Sequence, residues 1–389
     1  MLLKNRAKPD DDESRPLPRL PVSLRSLAEF LGLSPATVSL VLNNSPVARA
    51  IPQHTKHRIF SAAKRFSYRP NFVARSLRAQ RSYILGVLVP EVSAGYAALV
   101  LSGIEDHLLQ EGYFYIVVSH QHKTELITEY PSLLLERSIE GLITVDTPCP
   151  KILQLPVVAI SGHLEVEGIT NISLAHDKAA AVALEHLVGL GHSRIAFVKG
   201  QAFSSDTEIR WNAFRRQAER LQIPLRPKLT VQLEGNTPSP EVGYVAVRKL
   251  LRIREPFTAL IAFNDVSAIG AIRALREAGL RVPEDISVVG FDDIPFAAYQ
   301  NPALTTIRQP LWEMGKLAAE TVLSRIASGN GAPYPKLVTV EPELIVREST
   351  CTASRQVAAR PKRPFKRARL QAIKVARNRQ KNELAVGSK

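Results

Sequence analysis

Residues 23–43 read SLRSLAEFLGLSPATVSLVLN, and the pattern predicts two short helices around a turn. Ser23 suits the cap of a first helix whose Leu24, Leu27, Ala28 and Leu31 recur at i, i+3, i+4 and i+7, one helical face. Gly32 breaks that helix, and Leu33 fills the turn. Ser34 caps a second helix with Pro35 at its first position, where the missing backbone N–H costs nothing. Val38, Val41 and Leu42 give this helix an inward face. Two short helices joined by a glycine-containing turn form a helix-turn-helix, and the second helix has the size of the DNA major groove. A third helix is predicted at about 53–66, with Ile59, Ala62, Ala63 and Phe66 inward and Lys56, Arg58, Lys64 and Arg65 outward. A three-helix bundle with no nucleic-acid role would show the same apolar pattern.

Charge separates the two readings. Residues 21–82 carry 10 basic side chains and one acidic, Glu29, for a net +9. Residues 351–389 carry 12 basic and one acidic, net +11, while residues 83–350 have a net charge of −6. A mildly acidic body is thus flanked by two basic ends, which points to polyanion binding at the ends and another task between them. Just after the third helix, Tyr68–Arg78 reads YRPNFVARSLR. Pro70 ends the preceding helix, and Asn71 suits the cap of a new one of about two turns, too short to be stable alone. Its Val73, Ala74 and Leu77 share a side, with Arg75 and Arg78 beside them. A paired helix of this type fits a minor groove and can push an apolar side chain between base steps.

The rest of the composition excludes several classes. At 389 residues the chain is too long for one core. Its longest apolar runs, at 84–90 and 152–160, are far short of a membrane span. Met1–Leu20 is charged and proline-rich, without the apolar centre of a signal peptide. Cys149 and Cys351 are the only cysteines, which argues against a disulfide framework or a cysteine zinc site. The expected compartment is the cytoplasm.

From Tyr83 onward, apolar strands alternate with amphipathic helices. Strands are predicted at 84–90, 113–119, 141–145, 157–161, 194–200, 259–264 and 286–291, and helices at 96–111, 123–137, 177–190, 208–221, 241–253 and 266–278. Such alternation with fully apolar strands means parallel sheets covered on both faces. About 260 residues of it fit two doubly wound subdomains with a cleft between them.

The run AEFLGLSPATVSLVLN at 28–43, with TKHRIFSAAKRFSYRPNFVARSLR at 55–78, resembles the DNA-binding head and hinge of the lactose/galactose-repressor (LacI/GalR) family of bacterial transcription factors. GHSRIAFVKG (191–200), GLRVPEDISVVGFDDIPFAAYQNPALTTIRQP (279–310) and PELIVREST (342–350) resemble the type I periplasmic-binding-protein fold that the family uses as its sensor core. Together these cover about 21–350. The resemblance implies a helix-turn-helix domain at 21–68, a hinge helix and linker at 69–82, and an effector-binding and dimerisation core of two parallel-sheet subdomains at 83–350; outside it lie a tail at 1–20 and a basic tail at 351–389, both expected to be disordered and the second not required by the family.

For DNA the resemblance implicates Ser34, Pro35, Ala36, Thr37, Ser39 and Leu40 of the second helix, and Asn71, Arg75, Leu77 and Arg78 of the hinge. Leu77 is then the minor-groove wedge and Asn71 the hinge cap. Two features depart from the family. Leu40 follows the TVS triplet where a basic or polar residue is usual, and leucine offers only apolar contact, for instance to a thymine methyl. The loop 44–51 is slightly longer, and Arg49 there can add a phosphate contact.

For the effector, ligands in this architecture sit beyond the C-terminal ends of the strands. The resemblance implies Arg210 as a ligand-gripping arginine, Asp265 as acceptor of ligand hydroxyls, and Ser93 and Tyr96 in a loop that closes on the ligand. Ser161 stands where an aspartate is frequent, and Pro238 where some members present an aromatic. Arg210 also reads as a surface helix arginine, Asp265 as a helix cap, and Tyr96 as core. The ligand is open between a carbohydrate, a nucleoside-like molecule and none.

Signs of catalysis are sparse. There is no GxxxxGK[ST], no GxGxxG between strand and helix, and no GxSxG. His120 and His122 read as solvated loop histidines, and the pairs Glu105–Asp106 and Asp292–Asp293 lack a partner base or metal ligand. No enzyme, cofactor or metal site is expected. The basic tail, with helical potential at about 364–381, either adds nonspecific DNA affinity or is a solubilising tail. The expectation is a homodimeric repressor of double-stranded DNA, reading a palindromic operator under control of a small molecule. The alternative is a solute-binding or sugar-processing protein with an incidental basic head.

Overall fold

The computed structural model describes residues 23–43, 45–68, 81–92, 95–149, 153–236, 239–329 and 331–353. The expected hinge helix with Asn71, Arg75, Leu77 and Arg78 lies outside them, as do Ser93, Pro238, the N-terminal tail and the basic tail beyond residue 353. The chain divides into two compact units at Ser82–Tyr83.

The first unit contains α1 (Leu24–Leu31), α2 (Pro35–Leu42), a 3-10 turn (Pro46–Ala50) and α3 (Gln53–Arg65). Ser23 caps α1 by accepting from the Ser26 backbone N–H, and Gly32 closes it in the left-handed conformation at φ 66°. Ser34 caps α2 by accepting from the Thr37 N–H. Leu27, Ala28, Leu31, Val38, Val41, Ile59, Ala62 and Ala63 form the core. Two details differ from expectation. The segment read as a loop is the 3-10 turn, pinned by buried Ala48. Arg58 does not simply face outward: its Nη2 donates to the Leu31 carbonyl at 3.1 Å, satisfying an orphan acceptor at the end of α1.

The second unit is built on two six-stranded sheets. The first subdomain begins with β1 (Ile84–Val89), α4 (Gly95–Gln110), β2 (Phe114–Ser119), α5 (Thr124–Glu136), β3 (Gly141–Val145), β4 (Val157–Ile160) and β5 (Ile169–Leu174). The second follows with α6 (His176–Gly189), β6 (Ile195–Lys199), α7 (Asp206–Arg220), β7 (Thr230–Gln232), α8 (Pro240–Ile253), β8 (Ala259–Ile261), α9 (Asp265–Glu277), β9 (Ser287–Asp292), α10 (Pro295–Ala298) and β10 (Thr305–Arg308). The chain then returns to the first subdomain with α11 (Leu311–Ser328) and β11 (Leu337–Val340), and ends in the second with β12 (Glu343–Ile345). Strand orders are β11-β5-β4-β3-β1-β2 and β12-β10-β9-β8-β6-β7. Among the described residues every pairing is parallel except β10 with β12. Three crossovers, after β5, β10 and β11, therefore link the subdomains.

Each subdomain is tightened by one helix pair that meets through glycine. A Cβ on Gly103 of α4 would lie 1.9 Å from the Trp312 carbonyl oxygen of α11, and one on Gly315 would lie 2.0 Å from that of Val100. On the other side, a Cβ on Gly270 of α9 would lie 1.7 Å from the Pro240 carbonyl of α8. Backbone-to-backbone contact of this kind leaves no tolerance for a side chain.

Candidate functional site

The cleft between the subdomains opens at the C-terminal ends of the strands, where parallel sheets place their ligand sites. It encloses about 850 Å³, its open mouth included. Glu91 and His122 reach it from loops after β1 and β2, Asp146 from the end of β3, Gln201 and Phe203 from the loop after β6, Phe263 and Asn264 from the end of β8, and Asp292 from the end of β9.

Arg210 is the centre of the arrangement. It lies on the second turn of α7 and is only 5% exposed, so it is not a surface helix arginine. Its guanidinium stands 3.7 Å over the Phe291 ring and 4.5 Å from the Phe263 ring. Nη1 donates to the Phe263 carbonyl at 2.6 Å and Nη2 to Asp206 Oδ2 at 2.8 Å. Stacking and two fixed bonds orient the fork before any ligand arrives.

Three carboxylates surround it, Asp206 and Asp292 buried and Asp146 half-buried. Asp146 accepts from the Ser204 hydroxyl and from the Ser205 hydroxyl and backbone N–H, which join the first subdomain to the second. Burial, with repulsion from Asp206, pushes Asp146 up to about 6. Asp292 accepts from Gln309 Nε2 at 2.7 Å. Burial lifts it to about 7 against the charge of Arg210 and the Gln309 bond, with Asp206 and Asp146 adding to the rise. Burial works on Asp206 too, but the charge of His176, a bond from His163 and the charge of Arg210 overcome it and hold the carboxyl well below its usual range. Glu91 is lifted to about 7 by burial and by Asp146.

Asp265 requires correction. It is fully buried and does not face the cleft as an acceptor for ligand. Its Oδ1 accepts from Thr306 Oγ1 at 2.6 Å and its Oδ2 from the Ile294 N–H at 2.9 Å, so it ties α9 to the loop after β9 and to β10. It is not the helix cap either: Asn264 caps α9, accepting from the Ser267 N–H. Tyr96 lies in the first turn of α4 rather than a loop, half-buried on the cleft wall, with its hydroxyl 3.1 Å from Ser161 Oγ. Ser161 itself has no exposed surface, and its carbonyl accepts from Ser205 Oγ. His120 is buried and not solvated. Its Nε2 meets Thr147 Oγ1 at 3.0 Å and its Nδ1 accepts from the His122 N–H at 3.1 Å. His122 packs on Phe203 with ring centroids 3.8 Å apart, bridging the cleft.

Sequence reasoning missed Asn264, Asp292, Asp206 and Asp146. Asp292 had a signal, as the first acidic residue after the apolar strand ISVVGF. Asp146 had the same signal after GLITV. Asp206 and its neighbours converge only through the crossovers.

In the first unit, Ser34, Pro35 and Ala36 are exposed, and Thr37, Ser39 and Leu40 are half-buried. The Ser34 hydroxyl is 2.8 Å from that of Thr37, and Ser39 accepts from Asn43 Nδ2 at both its hydroxyl and its carbonyl. Leu40 packs against the core of the unit, so part of its side chain is committed to folding.

Comparison with known proteins matches both parts of the chain. Residues 23–71 match the model of bacterial regulatory proteins of the lacI family, and residues 184–350 match that of a periplasmic binding protein-like domain. The chain is similar to the HTH-type transcriptional repressor PurR of Haemophilus influenzae, at 30% identity over 338 residues that cover 84% of this chain and 98% of the relative. It is similar in structure to the Lac repressor dimer bound to operator and the anti-inducer ONPF, with a TM-score of 0.73 and 26% identity over 85% of this chain and all of that one. It is also similar to a LacI family regulator from Enterococcus faecium with bound ribose, with a TM-score of 0.62 and 26% identity over 70% of this chain and all of that one.

Proposed function

Since this chain belongs to the lacI family of bacterial regulatory proteins, we propose that its cleft holds a polyhydroxylated ring, sugar-like or nucleoside-like, whose binding sets the affinity of its head for DNA. The protein is a DNA-binding transcriptional repressor with a ligand-binding core. It reads a palindromic operator as a dimer, because a two-fold protein presents two equal heads. It performs no chemistry on its effector and works in the cytoplasm on chromosomal DNA.

One observation carries the ligand reading: the buried Arg210 guanidinium, stacked on Phe291 and aimed into a cleft shared with Asp292 and Asn264. A fixed guanidinium and a carboxylate take vicinal hydroxyls in pairs, and Phe203 and Phe263 supply apolar walls for ring faces. Asp292 and Asn264 take the role first given to Asp265. In the head, the exposed end of α2 from Ser34 to Thr37 enters the major groove, with Leu77 of the hinge as wedge. The hydroxyls of Ser34, Thr37 and Ser39 are already engaged within the head, so the apolar surfaces of Pro35, Ala36 and Leu40 carry most of the base contact.

Coupling follows from the groups that span the cleft. Asp146 with Ser204 and Ser205, and His122 on Phe203, repack when the subdomains rotate. An effector that favours one arrangement shifts DNA affinity by its differential free energy, typically about 1–3 kcal/mol, or about 5–150-fold. The test is a panel of pentoses, hexoses, nucleosides and nucleobases, screened by thermal shift on the native chain and on Arg210→Ala. One chemical class should raise the melting temperature of the native chain only and change its affinity for DNA. A ligand that stabilises both proteins equally would place the site elsewhere.

A further inference from the structure

His163, His176 and Asp206 lie far apart in sequence and meet at the seam of the two subdomains. His163 follows β4 in the first, His176 opens α6 just after the first crossover, and Asp206 opens α7 in the second. Nε2 of His163 is 2.5 Å from Asp206 Oδ1, and Nε2 of His176 is 3.5 Å from the same oxygen. One ligand atom from each residue lies within 4.8 Å of the others. His176 is 6% exposed, and among the described residues its Nδ1 has no hydrogen-bond partner, while its Nε2 has only the long 3.5 Å approach to Asp206. A buried imidazole with one ring nitrogen unsatisfied carries a desolvation cost that calls for an explanation.

We propose that His163, His176 and Asp206 bind a divalent transition metal ion of the zinc class that bridges the two subdomains. Two imidazoles and one carboxylate suit such an ion, whereas calcium and magnesium require oxygen. Metal–ligand bonds of about 2.0–2.2 Å place tetrahedral ligand atoms about 3.3 Å apart. The two separations from Asp206 Oδ1 lie on both sides of that value, and all three ligand atoms are within 4.8 Å of one another, so side-chain shifts without backbone rearrangement close the site. A water or an effector oxygen completes the coordination. His163 sits at φ 53°, two residues after Ser161 at φ 54°, a left-handed turn that non-glycine residues adopt only when their surroundings impose it. The Ser173 hydroxyl, 3.5 Å from His163 Nδ1, supports the outer nitrogen of that ring.

Electrostatics favours the same occupant. Asp146, Asp206 and Asp292 line one cleft around a single arginine, Arg210. A dication balances the three carboxylates. Asp206 would then hold the ion through Oδ1 and Arg210 through Oδ2, so metal and effector each change the affinity of the other by the same factor. That consequence rests on the effector role of Arg210; the metal site does not.

The experiment uses untagged, chelator-stripped full-length protein. Competition with a chromophoric chelator should show one zinc ion per chain, and cobalt should give the visible bands of a tetrahedral site. His163→Ala and His176→Ala should each lower affinity more than about 100-fold, beyond the loss typical of outer-shell partners, while His57→Ala leaves it unchanged. A measurement on the native chain avoids dependence on variant folding: zinc should shift the ring resonances of two histidines and magnesium none. No stoichiometric uptake, or uptake unaltered in both variants, would overturn the site. Uptake without any change in effector affinity would keep the metal and instead count against the role given to Arg210.

Discussion

Asp265→Asn should stabilise the protein, and more so as pH rises. The Asp265 carboxyl is fully buried, with Thr306 and the Ile294 N–H as its partners, and a Cβ on Gly290 would lie 2.1 Å from its Oδ1. Burial, with repulsion from Asp292, lifts it from 3.8 to about 8, in spite of the two hydrogen bonds. A carboxyl raised on folding contributes its full stability below the unfolded value and loses it as pH rises through the folded one. Between pH 5 and pH 8 the folded state binds the proton more tightly, so stability falls by about 3.5 kcal/mol. Asparagine removes this slope: its oxygen accepts from Ile294 and its amide donates to Thr306. Alanine leaves both partners unsatisfied, at about 1–3 kcal/mol each. At about 2–4 °C per kcal/mol for a core of this size, the asparagine variant should gain on the native protein by about 7–14 °C more at pH 8 than at pH 5. The alanine variant should melt lower at both. Thermal melts of the full chain at the two pH values read this directly. An asparagine variant with the native pH slope, or one that melts lower at both, would mean that the carboxylate is charged and paired in the fold. Effector binding should survive the Asp265→Asn substitution; its loss would return Asp265 to the cleft.

Two further substitutions probe the frame and the hinge. Gly103→Ala drives a methyl into the Trp312 carbonyl, forces α4 from α11, and should destabilise by about 3 kcal/mol or more; a melting temperature within about 2 °C of native, less than 1 kcal/mol for this core, would refute the close approach. Leu77→Ala should reduce operator affinity more than affinity for unrelated duplex, because a wedge acts only where the DNA bends; equal losses in titrations of both would count against the wedge.

The head and the long strands are legible in sequence because each is specified locally. Ser23, Gly32 and Ser34 mark the helix ends, and ILGVLVP or ISVVGF announces a strand buried on both faces. The short strands β7, β11 and β12 carry no such signal, and polar Asn171 and Ser173 interrupt β5. All depend on neighbours brought by the crossovers. The cleft divides the same way. Arg210 is found through its family motif, but its stacking on Phe291 requires α7 and β9 to be adjacent. Asp265 misleads because the position after a strand points to ligand, whereas here the chain turns one residue earlier and sends that carboxyl inward. His163, His176 and Asp206 are invisible in sequence, since no spacing links residues that meet across two subdomains.

Recognition of a specific DNA sequence by residues 21–82, under control of the core, can be tested in one step. Full-length protein is incubated with fragmented DNA of its own genome at near-physiological salt, and the retained fragments are sequenced. One palindrome should be enriched, absent when the chain begins at Tyr83, and released or gained when the effector is added. Retention without a shared sequence, declining only with salt, would overturn that reading and leave a general binder of polyanions.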